Sequence, residues 1–150
     1  MFVAGVVVLG IASLLLVRDR PVAVQPPQPA GDAATACHQL AGRLPATVAG
    51  QGHRTVTPTS PYTAAWGSDA IVLRCGVGTP AALQPTSELT SIDGVDWLPE
   101  KIDGASRYTS VGRTAYVEVI VPDSYDPAAD ALVDLGPAIR AADPELIASS

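Results

Sequence analysis

The sequence predicts an α+β domain, a two-layer sandwich in which two helices cover one face of an antiparallel sheet, preceded by an N-terminal transmembrane helix. Three observations predict it. Apolar residues at helical spacing occur near each end of the folded part, short alternating segments separated by turn dipeptides lie between, and an apolar run without a charged side chain stands ahead of both. A chain of 150 residues fits one such domain. The order helix, antiparallel strands, helix is that of a two-layer fold.

Residues 1–17, MFVAGVVVLGIASLLLV, form the apolar run. At roughly 1.5 Å per residue it reaches about 25 Å, the short end of what spans ~30 Å of hydrocarbon. It is apolar on every face, unlike a core helix, and stops at Arg18-Asp19-Arg20. No small-residue cleavage site closely follows it, so an uncleaved anchor is expected rather than a signal peptide. The lipoprotein-like stretch ending at Cys37 lies too far along, beyond Pro21, Pro26, Pro27 and Pro29. Arg18 and Arg20 after the run would place the domain in the cytoplasm, whereas a pair of cysteines belongs in an oxidising compartment. The cysteines carry the greater weight. The domain is expected outside the cytoplasm on a single-pass anchor, with the orienting basic residues upstream of Met1.

Residues 18–32 are a proline-rich linker, PVAVQPPQPAGD after the arginines. Such a segment favours polyproline II at ~3.1 Å per residue and would hold the domain up to ~35 Å from the membrane. The domain itself is expected over 33–150. Its first helix covers 33–44, where Cys37, Leu40 and Leu44 share a face, and Pro45 stops it. Residues 50–61 are turn-rich or an edge strand. Residues 70–77, AIVLRCGV, are the strongest strand: Ile71, Leu73 and Cys75 alternate with Val72 and Arg74. Residues 87–92 and 95–98 form a hairpin around Asp93-Gly94. Residues 108–111 and 114–121 pair around Gly112-Arg113, with Val117, Val119 and Val121 facing one way and Tyr116, Glu118 and Ile120 the other. Asp126 caps the second helix, with Pro127 at its first position. Ala128, Ala131, Leu132, Leu135 and Ile139 make its apolar stripe, and Gly136-Pro137 is expected to break or kink it.

Cys37 and Cys75 lie on apolar faces that meet in such a fold, which predicts a disulfide between them. Buried free thiols are the competing reading; a redox pair is disfavoured because no Cys-x-x-Cys is present. Cys37, His38, His53 and Cys75 also make a Cys2His2 inventory, but the spacing fits no zinc motif and no metal is expected. The net charge is −6 and Lys101 is the only lysine, so no basic patch exists to neutralise a phosphate backbone and nucleic acid is not an expected partner.

Several segments together resemble an actinobacterial envelope family, the domain-of-unknown-function family 3515. They are Ala65-Trp66-Gly67, residues 71–77 (IVLRCGV), Pro85-Thr86, Gly94-Val95-Asp96-Trp97, Gly112-Arg113, Val117-Glu118-Val119 and Leu132-Val133-Asp134-Leu135, an ordered set over roughly 37–142. The resemblance implies a membrane-anchored or secreted domain. It brings no activity and no catalytic residues.

No nucleophile elbow, phosphate-binding loop or dinucleotide fingerprint is present, and no cofactor is expected. Asp126, Asp130 and Asp134 recur every four residues as an acidic stripe, expected to be a solvated helix face. The more informative set is the sheet face away from the helices. Arg74, Tyr116 and Glu118 belong to it by alternation, with Arg74 and Glu118 able to pair across strands, and Trp97, Tyr108 and Arg113 come from neighbouring strands or turns. Aromatics, Arg and Glu on an open sheet make a platform for an envelope protein or a cell-wall glycan. The expected role is therefore a non-catalytic binding or accessory module of the cell envelope. A small envelope hydrolase using carboxylates is the alternative.

Overall fold

The computed structural model describes residues 20–147. The predicted transmembrane helix falls outside them. Among the described residues no helix is long and apolar enough to cross a membrane.

The elements in chain order are β1 (Val22–Ala23), α1 (Gly31–Ala41), β2 (Thr47–Val48), β3 (Gln51–Arg54), β4 (Val56–Thr57) and β5 (Thr63–Trp66). They continue with β6 (Ile71–Val77), β7 (Thr90–Ile92), β8 (Val95–Ile102), β9 (Ala105–Val111), β10 (Tyr116–Pro122) and α2 (Ala129–Ala142). Eight strands form one antiparallel sheet in the order β2-β3-β5-β6-β10-β9-β8-β7. It consists of two meanders joined where β10 returns to pair with β6. Residues 78–89 carry the chain to the far edge, and β7 to β10 bring it back.

Period-two alternation decides which face is which. Trp66, Ile71, Leu73, Cys75, Val117, Val119, Val121 and Trp97 point to the side covered by both helices, where they pack with Leu40, Leu132, Leu135 and Ile139. The fold class is thus the expected α+β sheet with two helices. The predicted cysteine pair is bonded, its Cα atoms 5.6 Å apart, and it pins α1 to the central strand β6.

Three expectations need correction. Asp126 does not cap the second helix, which begins at Ala129 after Ala128 with no side-chain cap. The preceding turn is committed elsewhere: Ser124 donates to the Asp69 carboxylate at 2.5 Å, and the Tyr125 hydroxyl donates to the Asp69 carbonyl at 2.6 Å. Of the break or kink expected at Gly136-Pro137, the break does not occur: α2 runs on to Ala142. The carbonyl that Pro137 leaves without a helix donor belongs to Val133, a residue on the exposed side of α2. Gly136 is there for close approach, since a Cβ would stand 2.8 Å from the Asp93 carboxylate in the β7–β8 turn. Finally, β8 does not end at Leu98. β7 reaches only as far as Trp97, so beyond it β8 is an edge strand that tolerates Pro99.

The acidic stripe is not wholly solvated in function. Asp134 accepts the Ala49 N–H at 2.8 Å. Ala49 and Gly50 both have positive φ, +48° and +73°, in the two-residue β2–β3 turn, so the carboxylate holds the backbone of a strained non-glycine residue.

The proline-rich segment was expected to stand off the domain as a linker, and over residues 20–29 it does not: it lies along the domain, because its backbone finds partners there. β1 pairs in parallel with β4, and Val24 is buried. The Arg74 guanidinium donates from Nε to the Gln25 carbonyl at 2.9 Å. Pro29 sits over Gly76, where a Cβ would lie 2.5 Å from the proline ring.

Candidate binding face

The face of the sheet away from the helices carries a charged ladder. Glu118 is opposite Arg74 in the β6–β10 register, and the two pair at 3.0 Å. On the other side of Glu118, Arg107 of β9 brings Nε to 3.6 Å from Oε2. Arg107 in turn lies 3.8 Å from Glu100, its register partner on β8. Four adjacent strands thus present Arg, Glu, Arg, Glu in sequence. Glu118 is 8% exposed and Arg107 remains accessible, so the ladder is half-shielded. At its Arg107 end Val77, Gly78, Pro80 and Ala81 border a half-open cavity of about 120 Å³ together with Glu100, Arg107, Thr109 and Glu118. Within it, Arg107 Nε is shielded from solvent and has no hydrogen-bond partner. A shielded donor without a partner is uncommon in folded proteins.

Of the residues singled out from the sequence, Arg74 and Glu118 lie where alternation puts them, and they pair. Tyr116 is half-buried at the end of β10, opposite Val77, where the register slips between Tyr116 and Val117. The Val117 N–H at this slip donates to the Ser110 hydroxyl at 2.9 Å. Trp97 and Tyr108 do not belong to the face. Trp97 is fully buried on the helix side. Tyr108 pairs with Val119, whose side chain is in the core, and so lies on the helix side too. The physical reason is register: Trp97 and Asp96 alternate, and the exposed member is Asp96.

Arg113 is also elsewhere. Its guanidinium is buried in a corner where the β9–β10 turn meets the C-terminal segment. It donates to the Asp143 carbonyl at 2.7 Å and the Gly94 carbonyl at 2.8 Å, and pairs with Glu145 at 3.2 Å. Asp143 itself is fully buried, and its carboxylate accepts the Ala115 N–H at 2.8 Å through Oδ1. Its Oδ2 has no partner. Burial pushes this carboxyl up to about 6, against the opposing pull of the Ala115 N–H and Arg113.

A carboxyl raised on folding from its ordinary value near 4 favours the folded state in its protonated form. The contribution is complete below about pH 4 and is lost as pH rises through about 6. Two units correspond to at most about 3 kcal/mol. The melting temperature is therefore expected to rise between pH 7.5 and pH 5, and Asp143→Asn, which keeps the acceptor for Ala115, should be more stable than the parent at pH 7.5 and lose that rise. Calorimetry over this range checks it; a destabilised Asn variant at pH 7.5 would show that the charged carboxylate is favoured by its surroundings.

Sequence reasoning missed Glu100 and Arg107, because it ended one strand at Leu98 and began the next at Tyr108; Thr109 lay within the expected strand but was not singled out. The missing signal is Asp103-Gly104, a second Asp-Gly between alternating residues, which is the β8–β9 turn.

Among the described residues no group of three His, Cys, Asp or Glu could hold a metal ion. The four residues of the Cys2His2 inventory are occupied. The cysteines are bonded to each other, His38 Nε2 lies 3.1 Å from the Tyr62 hydroxyl, and His53 packs edge-on against Trp66.

A family model described as "Protein of unknown function (DUF3515)" matches residues 1–146, taking in the apolar run, the proline-rich segment and the sheet domain together. No match was found among curated proteins or among solved structures.

Proposed function

Because this chain belongs to the DUF3515 family, whose description carries no function, we propose a role from its own surfaces: a membrane-anchored domain outside the cytoplasm that binds an envelope protein or a cell-wall glycan without catalysing a reaction. The observation that carries the reading is the Arg74–Glu118–Arg107–Glu100 ladder, in which Arg107 Nε faces Glu118 at ion-pair distance, 3.6 Å, and makes no hydrogen bond. Arg offers a planar fork of donors, and flanking carboxylates offer acceptors. Such a site suits a partner presenting a carboxylate or amide beside hydroxyls. Both carboxylates of the cavity are tied to the same guanidinium, an arrangement for recognition more than for proton transfer. The location outside the cytoplasm is supported by the disulfide, because such bonds persist in oxidising compartments. The membrane attachment is supported by the apolar run at residues 1–17.

The test is capture of partners by the tagged full chain from native membranes, comparing the parent with Arg107→Ala. An Arg anchor at an interface typically costs 2 kcal/mol or more on truncation, about thirtyfold in affinity. Arg107→Ala leaves Glu118 paired with Arg74 at 3.0 Å and removes only the longer contacts at 3.6 and 3.8 Å, so the melting temperature should fall only slightly. Unchanged recovery of every partner by the Arg107→Ala protein would remove the ladder from the binding site.

A further inference from the structure

The proline-rich segment is fastened to the domain from one end of the sheet to the other. At its start, Arg54 donates from Nη2 to the Arg20 carbonyl and from Nη1 to the Gly67 carbonyl, both at 2.6 Å. One guanidinium thereby ties residue 20 to the β5–β6 turn. The Val22 N–H then donates to the Thr55 carbonyl at 2.8 Å, and the Val24 N–H to the Thr57 carbonyl at 3.1 Å. Arg74 holds the Gln25 carbonyl, and Pro29 lies on Gly76 near the far end of β6. Prolines already have φ restricted, so laying the segment down loses less conformational entropy than it would for an ordinary chain.

We propose that this strap sets the β5–β6 end of the domain directly on the headgroup surface of a phospholipid bilayer. The argument is one of chain length. The apolar run ends at Val17 and Arg20 is clamped, so only Arg18 and Asp19 intervene. Three Cα-to-Cα steps reach about 11 Å at most. A domain tied at residue 20 cannot stand further than that from the point where the apolar run leaves the hydrocarbon. The surface brought down is polar: Ser68 and Asp69 of the turn are exposed, and Arg54 and the Ser124 loop lie beside them. Such groups suit the hydrated headgroup zone. Arg74 of the charged ladder is six residues beyond Ser68, so at ~3.3 Å per residue the ladder lies within about 20 Å of the membrane-facing turn. The inference rests on the anchor reading above and adds an orientation to it.

The test uses the full chain in phosphatidylcholine vesicles carrying a lipid with a spin-labelled headgroup, a short-range quencher. A fluorophore is placed at Ser68→Cys or at Thr79→Cys, exposed positions beyond opposite ends of β6, with the Cys37–Cys75 bond intact. The Ser68 probe should be quenched several-fold more strongly than the Thr79 probe. Arg54→Ala, which moves the first clamped residue from Arg20 to Val22 and lengthens the reach from about 11 Å to about 19 Å, should narrow the difference between the two signals without releasing the chain from the vesicles. Flotation of the same samples separates the two ideas. A chain that floats with the vesicles yet shows equal quenching at both probes overturns the docking and leaves the anchor standing. A chain that does not float overturns the anchor and the docking with it.

Discussion

Replacing both Cys37 and Cys75 by alanine is expected to lower the free energy of unfolding by about 4 kcal/mol, taking the chain-entropy value for a closed loop of the observed sequence separation of 38. Both sulfurs are in the core: Cys37 is fully buried and Cys75 is 1% exposed. The bond joins α1 to β6, and α1 otherwise rests on the sheet through a short apolar face of Ala36, Cys37 and Leu40. Losing the bond therefore loosens the helix whose entry leads back into the proline-rich segment. Urea titration of the double variant against the oxidised parent measures the difference. A change under 1 kcal/mol with an unchanged slope would mean that packing alone holds α1 in place.

Trp97→Ala should cost a comparable amount, about 3–5 kcal/mol. The side chain is fully buried on the helix side of β8, in the same cluster as Leu132, Leu135 and Ile139. Truncation opens a cavity beneath α2 that the surrounding secondary structure cannot collapse to fill. Its indole N–H is buried without a partner, so Trp97→Phe should be much milder, about 1–2 kcal/mol, because the smaller ring loses volume but also removes an unpaired donor. Equilibrium unfolding of the two variants gives the comparison. If Trp97→Ala unfolds like the parent, the residue is not a core residue and the true register of β8 is shifted by one position.

The residues that could be placed from the sequence were those whose neighbours alternate without interruption. Ile71 to Cys75 and Val117 to Val121 show a clean period of two, and the Arg74–Glu118 pair followed from it. The disulfide followed as well, because Cys37 and Cys75 each sat on the apolar side of a regular element. Regularity failed at Pro99, which looked like a strand end and is in fact tolerated on an edge. That one residue hid Glu100, Arg107 and half of the charged ladder. Trp97 was misplaced for a related reason. In Val95-Asp96-Trp97-Leu98 three of four residues are apolar, so the face of the strand is settled by tertiary pairing and not by local pattern. β5, TAAW, was missed because two alanines carry little strand preference. The proline-rich segment was read as a free linker because its attachment depends on Arg54, Arg74 and Gly76, which are distant in the chain and give no local signal.

The margins of the sheet have a consequence for solubility. A sheet of eight strands has two rims, and an exposed rim with many free backbone groups can template the strand of another chain, the first step of aggregation. Here one rim is β2, two residues long, and the other begins with β7, three residues long. Where β7 stops, β8 is left bare, and it carries Pro99, which lacks an N–H, followed by the exposed Lys101. An incoming strand would find a missing donor and a charge within three residues of each other. The same proline that obscured the strand in the sequence thus guards its open side against self-association.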